Sequence, residues 1–208
     1  LATYRTGTGE RRQWRLADGS TLWLNTASAV NLDFNAAQRS VQLVEGEMAL
    51  DAPVESRALQ LLTPDATLHS QGAHLLVRPD RLGTQVTVLR GLVQVHARGH
   101  QLPLRLDAGW RTQVNSQGIA APAPVDGFLA QAWLRGLLPA ERMRLDTLLA
   151  ELSRYRPGVL RCGEAVAGLR VTGSFQLDDT DAALALLAQA LPVRIERRTR
   201  YWVTVVPA

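Results

Sequence analysis

The chain of 208 residues is 46% hydrophobic and 20% charged, a balance that supports a buried core and excludes disorder as the dominant state. Its formal charge is +4 and all 23 basic side chains are arginine, a mild excess that does not by itself call for nucleic acid. One cysteine, Cys162, excludes an intrachain disulfide and a thiolate cluster, and no apolar run reaches the roughly 20 residues of a membrane span. The chain begins with Leu1 rather than methionine, which reads as a segment of something longer, any signal peptide or anchor lying outside it.

Short alternating segments dominate the first part. Around Arg11–Leu24, Trp14 and Leu16 precede Asp18-Gly19, and Leu22 and Leu24 follow. A two-residue turn would put Leu22 on the opposite face. A three-residue loop with Gly19 at positive φ keeps Trp14, Leu16, Leu22 and Leu24 together, and is predicted. "VQLVEGEMAL" (Val41–Leu50) and "VTVLRGLVQV" (Val86–Val95) align without gaps, with glycine at the same place in both. Two-residue turns at Glu45-Gly46 and Arg90-Gly91 pair Leu43 with Met48 and Val88 with Val93. "LRLDAGWRTQV" (Leu104–Val114) reads as a looser copy bent at Gly109. Residues 1–114 are therefore expected to form an all-β repeat domain of stacked hairpins, solenoid-like, with a sandwich as the alternative arrangement.

"NSQGIAAPAPVDG" (Asn115–Gly127) is rich in Ala, Pro and Gly and breaks the alternation, so residues 115–128 read as an extended linker. Leu145, Leu148, Leu149 and Leu152 then fall at helical spacing, with Pro157-Gly158 as the stop. "GVLRC" and Leu169–Phe175 read as strands. In "DDTDAALALLAQALP", Asp178 is the expected cap, Asp179 and Asp181 suit the positive end of the dipole, and Leu184, Leu187, Ala188 and Leu191 form the buried stripe. Val193–Ile195 and Tyr201–Val206 close a final hairpin. Residues 129–208 are expected to be a small α+β domain in the order helix, strand, strand, helix, strand, strand.

Little in this pattern carries catalysis. His69, His74, His96 and His100 lack the neighbouring carboxylates or thiolates of a zinc site and read as solvated loop residues. "LDDTD" (Leu177–Asp181) lacks the glycine and distant glutamate of a calcium loop, and "TGTGERR" (Thr6–Arg12) lacks the strand and Lys-Ser/Thr of a phosphate loop. Cys162 beside Arg161 reads as a partly buried structural thiol. "RIERRTRYW" (Arg194–Trp202) mixes arginine with aromatics, yet a turn displaying arginine to solvent accounts for it, so no nucleic-acid partner is expected. Neither a cofactor nor a metal is expected. The residues favour a module that binds another macromolecule over an enzyme.

"LADGSTLWLNTASAV", "VQLVEGEMAL" and "VTVLRGLVQV" resemble the successive signatures of the FecR family. "WLRGLLPAERMRLDTLLAELSRYRPG" and "LRVTGSFQLDDTDAALALLAQALPV" resemble its C-terminal part, which is similar to the secretin and TonB N-terminal (STN) domain. The resemblance implies a single-pass inner-membrane sigma regulator of Gram-negative bacteria. In that architecture a cytoplasmic segment binds an extracytoplasmic-function sigma factor, and a transmembrane helix leads to a periplasmic region. That region senses the signalling domain of a TonB-dependent outer-membrane siderophore receptor. By this resemblance residues 1–208 are the periplasmic region, reaching the sigma factor and the membrane only through segments outside it.

The resemblance also implies a cleavage position. Several members are cut at a Gly-Thr bond in a stretch resembling GTxFxV, where the Thr hydroxyl attacks the preceding carbonyl in an N-to-O acyl shift. The matching stretch here is "GAHLLV" (Gly72–Val77), with Ala73 where the hydroxyl belongs. Without an oxygen nucleophile the shift does not start, and the Gly72–Ala73 bond is expected to stay whole. Gly83-Thr84, a second such pair, falls in the following loop.

The last strand alternates Trp202, Thr204 and Val206 against Tyr201, Val203 and Val205. A C-terminal strand at a sheet edge is open to strand addition, which makes Tyr201, Trp202, Val203 and Val205 the expected contacts with the receptor domain. The alternative is a glycan- or peptidoglycan-binding β-repeat, for which Trp23 and Trp110 are the exposed candidates and Trp14 is read as core.

Overall fold

The computed structural model describes residues 2–208. They divide into two compact units, one of residues 2–7 and Arg11–Ala130, the other of Thr8–Glu10 and Gln131–Ala208.

The first unit contains β1 (Ala2–Arg5), β2 (Arg12–Arg15), β3 (Thr21–Leu24), β4 (Ala29–Phe34), β5 (Gln38–Glu45), β6 (Met48–Asp51), β7 (Ala58–Leu62), β8 (Ala66–Ser70), β9 (Ala73–Asp80), β10 (Gly83–Ala97), β11 (Leu104–Asp107), β12 (Trp110–Asn115), β13 (Gly118–Ile119) and β14 (Ala123–Pro124), and ends in one helical turn, α1 (Gly127–Ala130). The strands run β1-β4-β5-β7-β8-β10-β11 in one layer and β2-β3-β6-β9-β10-β12 in the other. The 15-residue β10 belongs to both, so the sheet is folded over on itself. All pairings are antiparallel except β5 with β7. Inward residues of both layers, among them Leu22, Leu50 and Leu75 from one and Val41, Leu61 and Leu68 from the other, meet in a single apolar cluster. Each such side chain contributes about 1.5–3 kcal/mol on burial.

The first hairpin takes the three-residue loop. The Leu16 N–H donates to Ser20 O at 2.8 Å, Trp14 faces Leu22, and Gly19 has φ +86°. The two predicted two-residue hairpins do not form. β5 pairs with β4 and β7, and β6 with β3 and β9, so Leu43 and Met48 lie in opposite layers and Gly46 carries the chain across. β10 is continuous through Arg90-Gly91: its first half pairs with β9 and β12, its second with β8 and β11, and a bulge lies between Val88 and Arg90. Gly109 likewise sits between β11 in one layer and β12 in the other. A hairpin turn and a layer-crossing corner both need a glycine at positive φ and both return apolar residues to the same core, so alternation alone does not separate them.

Asn115–Gly127 is not an extended linker either. β13 and β14 pair with β12, and the Thr112 hydroxyl donates to Ala120 O at 2.6 Å. Proline is tolerated there because these strands lie on the outside of the layer.

The second unit runs β15 (Leu137–Arg144), α2 (Leu145–Ser153), β16 (Val159–Cys162), β17 (Arg170–Gln176), α3 (Thr180–Ala190), β18 (Val193–Thr199) and β19 (Trp202–Pro207). β15 and β17 form one small sheet; β16, β19 and β18, in that order, form another. α2 packs on β15, β16 and β17, and α3 on β17 and β18. The four α2 leucines are buried as predicted, and the helix ends at Ser153, before Pro157. Asp179 rather than Asp178 caps α3, its carboxylate accepting the Ala182 N–H at 2.9 Å. Periodicity does not predict β15, because "LLPAERMR" holds a proline and a bulge between Ala140 and Met143.

Candidate functional site

The strand predicted to dock a partner is not an edge. β19 lies between β16 and β18, with Val159 and Val193 facing its two ends. Val203 and Val205 have no exposed surface and close the core, while Tyr201 and Trp202 are 46% and 36% exposed. The strongest alternation in the unit marks its best-buried strand, and burial on both flanks is what makes a strand central. Tyr201 and Trp202 lie under cations of the same unit, Arg200 at 4.5 Å and Arg161 at 5.0 Å from the ring centres. Two other arginines of this hairpin are also engaged: Arg194 pairs with Glu196 at 2.7 Å, and Arg197 with Asp181 at 3.1 Å. The hydrogen bond from Arg156, with that from Arg197, holds the Asp181 carboxyl below its ordinary value.

Gly72 and Ala73 form a corner of the first unit. Ala73 opens β9, is fully buried, and its carbonyl accepts the Ala52 N–H at 2.9 Å. A Cβ on Gly72 would come within 2.6 Å of Pro53 O, and one on Gly91 within 2.7 Å of Gly72 O. Backbone therefore encloses the Gly72–Ala73 peptide on two sides. The Ser70 hydroxyl, two residues upstream, donates to Leu92 O at 2.7 Å and accepts the Gly72 N–H at 3.1 Å. An apolar recess of about 450 Å3 opens beside this corner, lined by Val54, Ala58, His69, Gly72, Gly91 and Leu92. With a methyl at position 73, the purified chain is expected to keep its full mass; a fragment beginning at Ala73 in the mass spectrum would contradict this.

Sequence reasoning missed the residue that ties this corner together. Arg39 is wholly buried. Its Nη1 donates to Asp18 at 3.2 Å and to Pro53 O at 3.0 Å, its Nη2 to Gln71 O at 2.7 Å and Arg57 O at 3.1 Å, and its Nε lies 3.2 Å from Glu55. Burial opposes ionisation of Asp18, but the Ser20 hydroxyl and amide and the Arg39 guanidinium outweigh it and hold the carboxyl below its ordinary value. Asp18 thus anchors the hairpin loop to a cation 21 positions away. Its only sequence signal is the turn dipeptide.

His69, His74 and His96 sit on strands rather than loops. His69 meets His96 edge-to-face at 5.1 Å, and His74 stacks on Trp23 at 5.9 Å. Burial pushes His69 and His74 below the ordinary imidazole value, the His96 ring adding to the effect on His69. No group of three or more metal-ligating side chains occurs among the described residues. Burial raises the Cys162 thiol, so neighbouring arginine does not activate it. Trp14 packs on the core beside Tyr4. Trp23 and Trp110 lie on β3 and β12 with β6, β9 and β10 between them, and form no aromatic row. No helix among the described residues is long and apolar enough to cross a membrane.

Residues 2–94 match the model of the FecR protein family. The fold resembles two crystal structures of a candidate anti-sigma factor from Parabacteroides distasonis ATCC 8503. One gives a TM-score of 0.80 at 21% identity and covers 100% of both chains. The other gives 0.79 at 20% identity, covering 100% of this chain and 99% of that one. At this identity the likeness is one of fold. No curated protein matches.

Proposed function

We propose that the chain is the periplasmic signalling region of a FecR-type anti-sigma regulator. Its second unit receives the signalling domain of a TonB-dependent siderophore receptor, and the contact is relayed to an extracytoplasmic-function sigma factor. The observation that carries this reading is the FecR match on residues 2–94 followed by a separate unit of two helices and two small sheets. The likeness over the full length to a candidate anti-sigma factor supports it. The folded-over sheet acts as a stiff spacer, and Ala73 lets the signal pass through an uncut chain.

A pull-down with the signalling domain of a TonB-dependent siderophore receptor tests the reading. Binding is expected to survive deletion of residues 1–113 and to vanish on deletion of residues 137–208. Retention by residues 1–136 alone would assign recognition to the β unit instead and sink the reading.

A further inference from the structure

We propose that β17 is the recognition edge of the second unit, and that it takes an extended strand of the partner protein as an added strand beside α3. The inference rests on the reading above that this unit meets a protein partner.

Four strands of the unit, β15, β16, β17 and β18, are paired on one side only. Natural sheets blunt such edges by keeping them short or by adding proline, bulges or charge. β16 has four residues. β15 carries Pro139 and a bulge, with Arg142 at φ +48°. β18 carries Arg194, Arg197 and Arg198 within seven residues. β17 is the least protected of the four: it has no proline, its one charge is Arg170 at its first residue, and the bulge of the pair belongs to β15.

The backbone of β17 is aimed outward at defined positions. The Leu145 N–H donates to Leu169 O and the Leu177 N–H to Gly136 O, so the odd-numbered positions bond toward β15. Bonding alternates along an antiparallel pair, which leaves the N–H and C=O of Thr172, Ser174 and Gln176 pointing to the open side. Side chains at these three positions are exposed, whereas Val171 and Phe175 are buried.

α3 packs on β17 and β18. On its outward face Ala182, Ala185 and Gln189 are exposed and Leu186 is 54% exposed, with Asp181 in the first turn paired to Arg156 and Arg197. Leu186 is the large apolar side chain this helix leaves uncovered. Arg170 opens β17, its guanidinium donating to Arg142 O at 3.1 Å, and Asp179, the cap of α3, follows the end of the strand. The complementary ligand is an extended segment with an acidic residue near Arg170, a basic residue near Asp179, and apolar side chains between them that cover Leu186.

The test uses the full chain with the same receptor signalling domain. On binding, the amides of Thr172, Ser174 and Gln176 are expected to gain at least roughly tenfold protection from hydrogen exchange, while Gly173 and Phe175, already bonded to β15, change little. Ser174→Pro removes an amide that β15 does not use, and is expected to weaken binding by roughly 30-fold or more. Leu186→Asp, which leaves the backbone alone, is expected to weaken it by roughly tenfold. Binding that both variants leave unchanged overturns the edge and spares the proposed function. No binding by the unmodified chain overturns both. Self-association abolished by Ser174→Pro would make a second copy of this chain the occupant, and equally overturns the inference.

Discussion

Arg39→Met is expected to destabilise the first unit by about 3–5 kcal/mol, the cost of breaking a buried pair from one side. Methionine fills much of the volume, so the loss is electrostatic. It strands the buried carboxylate of Asp18 and removes donors from the carbonyls of Pro53, Arg57 and Gln71. Urea unfolding followed by tryptophan fluorescence should give a lower midpoint with an unchanged slope. The pH dependence has a definite sign. Asp18 is held below its ordinary value in the folded state, so its contribution is full above the unfolded carboxylate value of about 4 and is lost as pH falls through the lower folded value. In the variant the carboxylate keeps the Ser20 hydroxyl and amide but loses the cation, so acidification removes less stability from it than from the unmodified chain. The gap between the two proteins should therefore narrow as pH falls below about 4. Adding Asp18→Leu to Arg39→Met should recover part of the loss, because a buried pair replaced on both sides leaves no uncompensated charge. A loss under about 1 kcal/mol, or a gap independent of pH, would show that Arg39 is not the tie of this corner.

The second large effect separates backbone strain from lack of space. Gly46 and Gly99 have nearly the same φ, +80° and +79°. A Cβ on Gly46 would lie 2.1 Å from Ser28 Oγ and 2.5 Å from Ser28 Cα, whereas one on Gly99 meets nothing within 4 Å. Ser28 has little room to yield, since its hydroxyl accepts the Glu47 N–H at 2.9 Å and donates to Thr26 O at 3.0 Å. Gly99→Ala is expected to cost about 1–2 kcal/mol, the strain of a left-handed residue. Gly46→Ala adds overpacking and is expected to cost about 3 kcal/mol or more. Paired thermal melts of the two variants measure the difference. Equal shifts would mean that the corner opens freely and that Gly46 serves only as a turn.

Gly46 also shows why the repeats were only half legible. The ungapped match of Val41–Leu50 with Val86–Val95 reports a shared physical demand, which is a left-handed residue between two inward-facing runs. It does not report which strands pair. Leu43 and Met48 both face the core, one from each layer, whichever way the chain passes Gly46. The Asp18-Gly19 loop was legible because parity left one arrangement with Trp14, Leu16, Leu22 and Leu24 on the same side. β15 was illegible because its strand conformation comes from pairing with β17 rather than from its own composition.

The candidate surface divides the same way. Alternation at Tyr201–Val206 correctly announces a strand, but the outer or inner position of a strand is a property of the sheet, set by β16 pairing parallel with β19 in a register 43 positions apart. Local chemistry by itself determined the elements: which runs alternate, where α2 and α3 lie, where glycine is needed, and that Ala73 offers no hydroxyl. Tertiary structure alone decided the pairings, the burial of Arg39 against Asp18, and which strands of the second unit lie at sheet edges. Period and propensity act over a few residues, while pairing and burial are settled by contacts between segments far apart in the chain.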